Sequence, residues 1–253
     1  MILIDHLVKR YNDHIAVNDI SLEIKAGEIF GYLGPNGSGK TSTIKMIMGL
    51  MKPTSGTITI DGHEVQKDPI SAKKVLGYIP DRPILYEKLT AWEYMKFIAG
   101  IYRVNDKELQ ERGMKYLEIF ELSEWTNELV ENFSHGMKQR LNLSAVFMRN
   151  PKVLILDEPL IGLDPRGARL FKEMLHTSRN DGMCIFMSTH ILEIAEQMCD
   201  RLAIIQKGNI LYTGTSSDLR QQAQSPDSGL EQLFLRLTGG EDVVGIVKEL
   251  EGR

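Results

Sequence analysis

Long apolar runs are missing from this chain of 253 residues. No stretch approaches the roughly 20 consecutive apolar residues that a bilayer-spanning helix needs, so the chain is not expected to cross a membrane by itself. Cysteine is scarce: Cys184 and Cys199 are the two in the sequence, and neither sits in a paired or metal-binding spacing. That excludes a disulfide framework and a cysteine-built zinc site, and leaves two reduced, packing thiols in a reducing compartment. Positive charge is not in excess. Thirty Lys and Arg against 34 Asp and Glu give a net charge of −4, and without a basic field nucleic acid is not an expected partner. The first residues, MILIDHLVKR, lack the charged-then-apolar layout of a signal segment and read as a strand. There is no internal repeat, and the one low-complexity tract is the polar stretch QQAQSPDS at 221–228, which reads as a linker. What remains is ordinary globular material, 42% hydrophobic and 25% charged, long enough for one domain or two with ample core.

The order of textures along the chain predicts an α/β fold. MILI, ISLEI and EIFGYL are short β-rich runs with turns between them, and GTITIDGHEV reads as a hairpin over Asp61-Gly62. After Pro83 the period changes. Thr90 and Glu93 have capping-box spacing ahead of Tyr94, Met95, Ile98 and Tyr102. A second helix is expected over about 106–121, and a third is opened by Ser134 and stopped at Asn150-Pro151. Residues 83–150 therefore read as a helical insert between two stretches of β/α alternation, 1–82 and 151–220. KVLILDEP has the continuous apolar run of a strand buried on both faces of a parallel sheet. RGARLFKEML is a helix with Asp164 as cap and Pro165 at its first position, CIFMSTH and LAIIQKGNIL are further strands, and two short helices close the chain over 221–253.

Two segments carry chemistry. Gly34, Pro35, Asn36, Gly37, Ser38, Gly39, Lys40, Thr41 and Ser42 fit G-x-x-x-x-G-K-[ST] and lie where a strand runs into a helix. In that setting the glycines let backbone N–H groups wrap phosphate oxygens, Lys40 brings a point charge to the β- and γ-phosphates, and the Thr41 hydroxyl suits Mg²⁺. A Gly-rich turn with a solvated lysine has the same composition but not the same strand–loop–helix context. In VLILDEP the strand delivers Asp157 to the carboxyl edge of the sheet, where it suits Mg²⁺ through water. Glu158, one residue on, points elsewhere and is placed to orient or deprotonate an attacking water. A third segment, ENFSHGMKQRL, raises a question. Ser134 and Gly136 offer the bare N–H groups of a helix start, which suit an anion, yet the segment has no lysine or strand-borne acid of its own.

Taken in order, Tyr11, the loop 34–41, GYIPDRP (77–83), FSHGMKQR (133–140), LILDEP (154–159), GLDP (162–165) and STH (188–190) resemble the ATP-binding subunits of ABC transporters over nearly the whole chain. The resemblance implies a P-loop NTPase core of mainly parallel sheet, with an N-terminal antiparallel β subdomain and an inserted α-helical subdomain. It implies ATP and Mg²⁺, with Thr41, Asp81 and Asp157 near the metal, Glu158 and His190 at the reaction, and Tyr11 stacked on adenine. It also implies a second ATP-binding subunit, identical or a close paralogue, packed head to tail. Ser134 and Gly136 would then hold the γ-phosphate bound by the partner's loop, and Asp164 would reach across the interface. A separate permease would complete the transporter and hold the chain peripherally at the cytoplasmic face of the membrane. The groove beside Asp81 and residues 82–94 would receive a permease helix, with Tyr86, Leu89 and Trp92 as contacts. The tail LEQLFLRLTG resembles those of bacterial exporters.

Three positions depart from the family pattern. The signature L-S-G-G-Q is Phe133-Ser134-His135-Gly136-Met137 here, the glutamine after GYIP is Asp81, and Leu160 and Ile161 replace small polar residues. The other class of ABC ATPase, soluble proteins of repair, translation or cofactor assembly, remains the alternative. Repair members carry a long coiled coil, absent between Lys40 and Ser134, and translation members usually carry two cassettes on one chain.

Overall fold

The computed structural model describes residues 1–160, 163–222 and Phe234. β1 (Ile2–Tyr11) and β2 (His14–Ile24) form an antiparallel hairpin whose turn includes Asn12 at a φ of 49°. β3 (Ile29–Leu33) is buried at every position and runs into the Gly-rich loop and α1 (Lys40–Ile47). β4 (Ser55–Ile60) and β5 (His63–Glu64) close over Asp61 and Gly62, at φ 48° and 86°, the two positive values that a type I′ turn requires. α2 (Pro69–Val75) follows, a helix the sequence reading passed over although Asp68 caps it and Pro69 sits at its first position. β6 (Leu76–Ile79) ends the first stretch.

α3 (Ala91–Tyr102) opens on the expected capping box: Thr90 Oγ1 accepts from Glu93 N at 3.2 Å while Glu93 Oε2 accepts from Thr90 N at 2.9 Å. The helix expected over 106–121 is built in three pieces, α4 (Asp106–Glu108), a π-helical turn (Leu109–Gly113) and α5 (Met114–Ile119). α6 (His135–Met148) begins at Ser134 as read from sequence, and Met95, Leu117, Leu141 and Met148 are buried together among these helices.

β7 (Val153–Asp157), α7 (Pro165–Asn180), β8 (Cys184–Thr189) and α8 (Leu192–Met198) restore the alternation. LAIIQKGNIL is not one strand. It is the hairpin of β9 (Arg201–Gln206) and β10 (Asn209–Gly214), because Lys207 and Gly208 take φ values of 46° and 79° and reverse the chain. α9 (Ser216–Gln222) takes the first two residues of the expected linker; the rest of that linker and the two closing helices lie outside the described residues, apart from Phe234.

Two sheets result. One is antiparallel, in the order β2-β1-β4-β5. The other runs β10-β9-β3-β8-β7-β6 and is parallel except for β10. A parallel sheet is covered on both faces, which is why β3 and the stretches 153–156 of β7 and 184–187 of β8 are apolar rather than alternating, with polar residues only at the carboxyl ends of β7 and β8. Phe30, Tyr32, Ile155 and Phe186 lie in the core between the two sheets, and Leu154, Leu156, Phe171 and Ile185 lie in the core on the other side. Each such burial contributes about 1.5–3 kcal/mol. Tyr32 also meets Thr43 on α1, hydroxyl to hydroxyl at 3.3 Å, so the strand before the loop and the helix after it are pinned to each other.

Both cysteines are free thiols. Burial pushes the Cys184 thiol up to about 11. Burial raises Cys199 too: the residue as a whole is half-buried, but its sulfur lies over Gly31, where an added Cβ would come within 2.8 Å of it. The thiolate is the reactive form. Neither cysteine is expected to react with Ellman's reagent at neutral pH until the protein is unfolded, when both should. A fast-reacting thiol in the native protein would contradict this packing.

Candidate nucleotide site

Three neighbouring strands end side by side at the carboxyl edge of the parallel sheet. β3 pairs with β8 as far as Leu33 with Thr189, and β8 pairs with β7 as far as Ser188 with Asp157. This register brings the Gly-rich loop after β3, the acids at the end of β7 and His190 after β8 to one place. Ligands of open α/β sheets bind at such an edge.

The loop is held tightly by its own backbone. Gly34 N–H donates to Thr189 O at 3.3 Å, Ser38 N–H to Pro35 O at 3.2 Å and Gly208 N–H to Ser38 O at 2.9 Å. Two glycines have specific reasons. A Cβ on Gly34 would press into Ile205 and sit 2.7 Å from Ser38 Oγ, and Gly39 adopts a φ of 112°, which side chains rarely take. Lys40 is buried, and its ammonium donates across the loop to Gly34 O at 2.6 Å and Pro35 O at 3.2 Å. Burial lowers its pKa, while the fields of Glu158 and Asp157 act the other way. α1 starts here with no side-chain cap and no acid in its first turn, so its N–H groups and the positive end of its dipole are left to an anion. Ser38 Oγ is buried without a partner, a further polar atom in the loop awaiting one.

Facing the loop across a cleft of about 450 Å³ are Asp81, Asp157 and Glu158, with Tyr11 at the outer end. Asp157 accepts a short hydrogen bond from the Ser188 hydroxyl. Burial raises its pKa despite that bond, and Asp81 and Glu158 raise it further. Burial also pushes Tyr78 up to about 12, helped by Asp157 and Asp81. Three carboxylates share the cleft with one ammonium, an arrangement that a cation would relieve.

Glu158 sits at a φ of 48°, a strained value for a residue with a side chain. Its backbone is fixed by a hydrogen bond from its N–H to Ser188 O at 3.1 Å. Its carboxylate is held at both oxygens: the Thr189 hydroxyl donates to Oε2 at 3.2 Å, and His190 Nδ1 lies 2.6 Å from Oε1. An ionised carboxylate only accepts, so a hydrogen bond at this contact requires the proton on His190 Nδ1. Strain and double anchoring fix this acid in one orientation, as a general base needs.

The remaining expected residues are elsewhere. Ser134 is exposed at the start of α6, where its Oγ accepts from Met137 N–H at 3.2 Å. Asp164 caps α7 through Gly167 N–H at 2.6 Å and pairs with Arg140 of α6. That Gly167 bond, followed by Arg140, draws the Asp164 pKa down. Arg140 also reaches Glu121 at 3.2 Å, and Arg166 reaches the same acid at 2.7 Å. None of Ser134, Gly136 and Asp164 lines the cleft. Asp81 does line it, but its Oδ1 accepts from the next backbone N–H, that of Arg82, at 2.9 Å.

A family model described as ABC transporter matches residues 17–161. The chain belongs to the ABC transporter family. It is 36% identical over 241 residues to the linearmycin resistance ATP-binding protein of Bacillus subtilis, covering 93% of this chain and 78% of that one. A solved ATP-binding subunit of an ABC transporter superimposes with a TM-score of 0.89 at 33% identity, over 94% of this chain and 99% of that one. A bacterial ABC transporter cassette solved as a dimer superimposes with a TM-score of 0.76 at 25% identity, over 85% of this chain and 98% of that one. The protein is thus the ATP-binding subunit of an ABC transporter, an ATPase with the α/β cassette fold expected from its motifs. Among the described residues no helix is long and apolar enough to cross a membrane.

Sequence reasoning missed four residues of this cassette's site. Ser188 and Thr189, which hold Asp157 and Glu158, were visible in STH, but the ordinary polarity of a Ser-Thr pair gave no sign of what lay beside it. His14 and Ala16 line the cleft from β2, and nothing in their spacing marks them.

Proposed function

We propose that the cassette hydrolyses ATP in a head-to-tail dimer, with an identical copy or a close paralogue, and that this cycle drives a separate permease in the direction of export. The arrangement that carries the reading is the pairing of a phosphate cradle around Lys40 with a strained, doubly anchored Glu158 across the same cleft. Residues 34–42 bind the phosphates through backbone N–H groups, with the Lys40 ammonium on the β- and γ-phosphates. Tyr11 has a flat, exposed ring at the cleft's edge, suited to adenine; its hydroxyl lies 2.8 Å from Met51 Sδ. Glu158 takes a proton from the attacking water, and His190 holds Glu158 in place and meets the γ-phosphate. The hydroxyl of Thr41 and the carboxylates of Asp157 and Asp81 are hard oxygen donors and fit Mg²⁺, which needs few protein ligands when phosphates supply the rest. Bound there, Mg²⁺ would supply positive charge against the nucleotide's phosphates. Among the described residues no group of three or more His, Cys, Asp or Glu is placed to hold a metal ion by itself.

Ser134 and Gly136 supply the other half of each site. They lie outside their own chain's cleft, on an uncovered helix start, so the phosphate they serve belongs to a partner. Hydrogen bonds to a charged phosphate are worth about 1.5–3 kcal/mol each, enough for a few of them to make the dimer depend on ATP. The export direction follows the resistance function named for the Bacillus relative.

The permease docks where the apolar surface is uncovered. Ile84 is 92% exposed, Leu50 65% and Tyr86 61%, with the Tyr86 ring against Phe97 at 4.7 Å. Leu89 and Trp92, also expected as contacts, are half-buried against the helical core. Tyr86→Ala is expected to lower retention of the cassette on membranes that contain its permease, while leaving thermal stability within about 0.5 kcal/mol, as for an exposed site. Retention equal to the unsubstituted protein would remove Tyr86 from the docking surface.

A further inference from the structure

Tyr11 ends β1 at the outer end of the nucleotide cleft, and its side chain is held in place. The segment after α1 is tied to the end of β1 by three hydrogen bonds. Val8 O accepts from Thr54 N–H at 2.8 Å, Arg10 N–H donates to Thr54 Oγ1 at 3.0 Å, and the Lys9 ammonium donates to Lys52 O at 2.9 Å. These bonds bring Met51 beside the tyrosine, where its sulfur accepts from the Tyr11 hydroxyl at 2.8 Å. Ser42 Oγ, on α1 next to the phosphate loop, lies 3.5 Å from the same hydroxyl.

Lys9 also meets the ring itself. It stands two residues before Tyr11, the strand spacing that puts side chains on one face. Its ammonium sits 5.1 Å from the ring centroid, within the range of a cation–π contact. Among the described residues no carboxylate pairs with this ammonium. Tyr11 lines the cleft and Lys9 does not. The ammonium therefore backs the ring from outside the cleft, and the face left for a ligand is the other one.

We propose that Lys9 is a positioning residue for the nucleotide base: it backs the Tyr11 ring and makes the cleft-side face a better stacking surface for a purine. The proposal rests on the reading of Tyr11 as the adenine contact and adds what prepares that ring. Two effects work together. Tethered to Lys52 O, the lysine keeps the ring from swinging out of the cleft, so less rotamer freedom is lost when a base arrives. The cation also draws π density toward its own side, which lowers the repulsion between the far face of the ring and the electron-rich face of a stacked purine. A base with a wide ring gains most, and a triphosphate without a base gains nothing. Lys9 thereby favours purine nucleotides without touching the phosphates.

The test compares MgATP with magnesium tripolyphosphate, which has the phosphates and no base, on the purified full chain. Lys9→Met keeps the stem and removes the charge. Its dissociation constant for MgATP should rise about two- to fivefold, with tripolyphosphate binding and kcat at saturating ATP unchanged. Lys9→Arg should keep the unsubstituted affinity, because a guanidinium also stacks on an aromatic face. Lys9 is half-buried, so the thermal midpoint should hold. Lys9→Gln, which keeps a donor for Lys52 O, should weaken MgATP to the same extent and serves if Lys9→Met does not fold. Tyr11→Ala should weaken MgATP by more than about fivefold, and adding Lys9→Met to it should cost nothing further. If Tyr11→Ala weakens MgATP but Lys9→Met and Lys9→Gln do not, the backing by Lys9 is wrong and the Tyr11 contact stands. Equal loss for MgATP and tripolyphosphate in Lys9→Met, or the same loss with and without the Tyr11 ring, means that the ammonium acts on the phosphates and overturns the proposal. Lys9→Arg binding as weakly as Lys9→Met overturns it too. If Tyr11→Ala leaves MgATP binding unchanged, the adenine reading itself fails, and the inference goes with it.

Discussion

Glu158→Gln is expected to slow ATP hydrolysis by about 10²–10⁴-fold while leaving ATP affinity within a few-fold of the unsubstituted protein. The amide can still accept the Thr189 hydroxyl bond, made at 3.2 Å, through its carbonyl oxygen. It can also keep the strained backbone, because the bond from Glu158 N–H to Ser188 O does not involve the side chain. What it loses is the proton acceptor. Lys40 and the loop N–H groups are untouched, so nucleotide still binds. A dimer that closes on ATP and opens after hydrolysis should therefore accumulate closed. Single-turnover hydrolysis together with gel filtration in ATP measures both effects. An unchanged rate would remove Glu158 as the base.

The second large effect is expected at Ser134→Arg. Ser134 is exposed at the start of α6 and contributes nothing to its own cleft, so ATP binding to the single chain should change little. The substitution removes the cap to Met137 N–H, a loss of about 1 kcal/mol, and puts a long side chain where a partner's γ-phosphate would approach. ATP-dependent dimerisation and hydrolysis should both be lost. The capping loss alone predicts a lower melting temperature with activity kept. The two outcomes are therefore separable by measuring stability, nucleotide binding and turnover on one preparation.

Much of this architecture was legible because the signals are local. Gly34 to Thr41 between a strand and a helix, Thr90 with Glu93, and Asp164 with Pro165 each bind their partners within a few residues, so spacing alone reports them. The features that escaped were of two kinds. Some had a local signal that was outvoted: Lys207-Gly208 turns the chain inside a run that otherwise looks like one apolar strand, and Asp68-Pro69 caps a helix within β-rich texture. Others had no local signal. Thr189 and His190 meet Glu158 across 31 and 32 residues, and Arg140 meets Asp164 across 24, through the register of β7 on β8 and the packing of α6 on α7.

The central claim is that each working site is assembled from two chains, with Lys40 on one side and Ser134 on the other. It is tested most directly by mixing Ser134→Arg with Lys40→Ala, each inactive alone. In a mixed dimer one site carries both lesions and the other carries neither. ATPase activity should therefore return on mixing, and rise with the fraction of mixed dimers. Mixed dimers shown to form without any recovered hydrolysis would contradict the account, because Ser134 would then not be completing a neighbour's site.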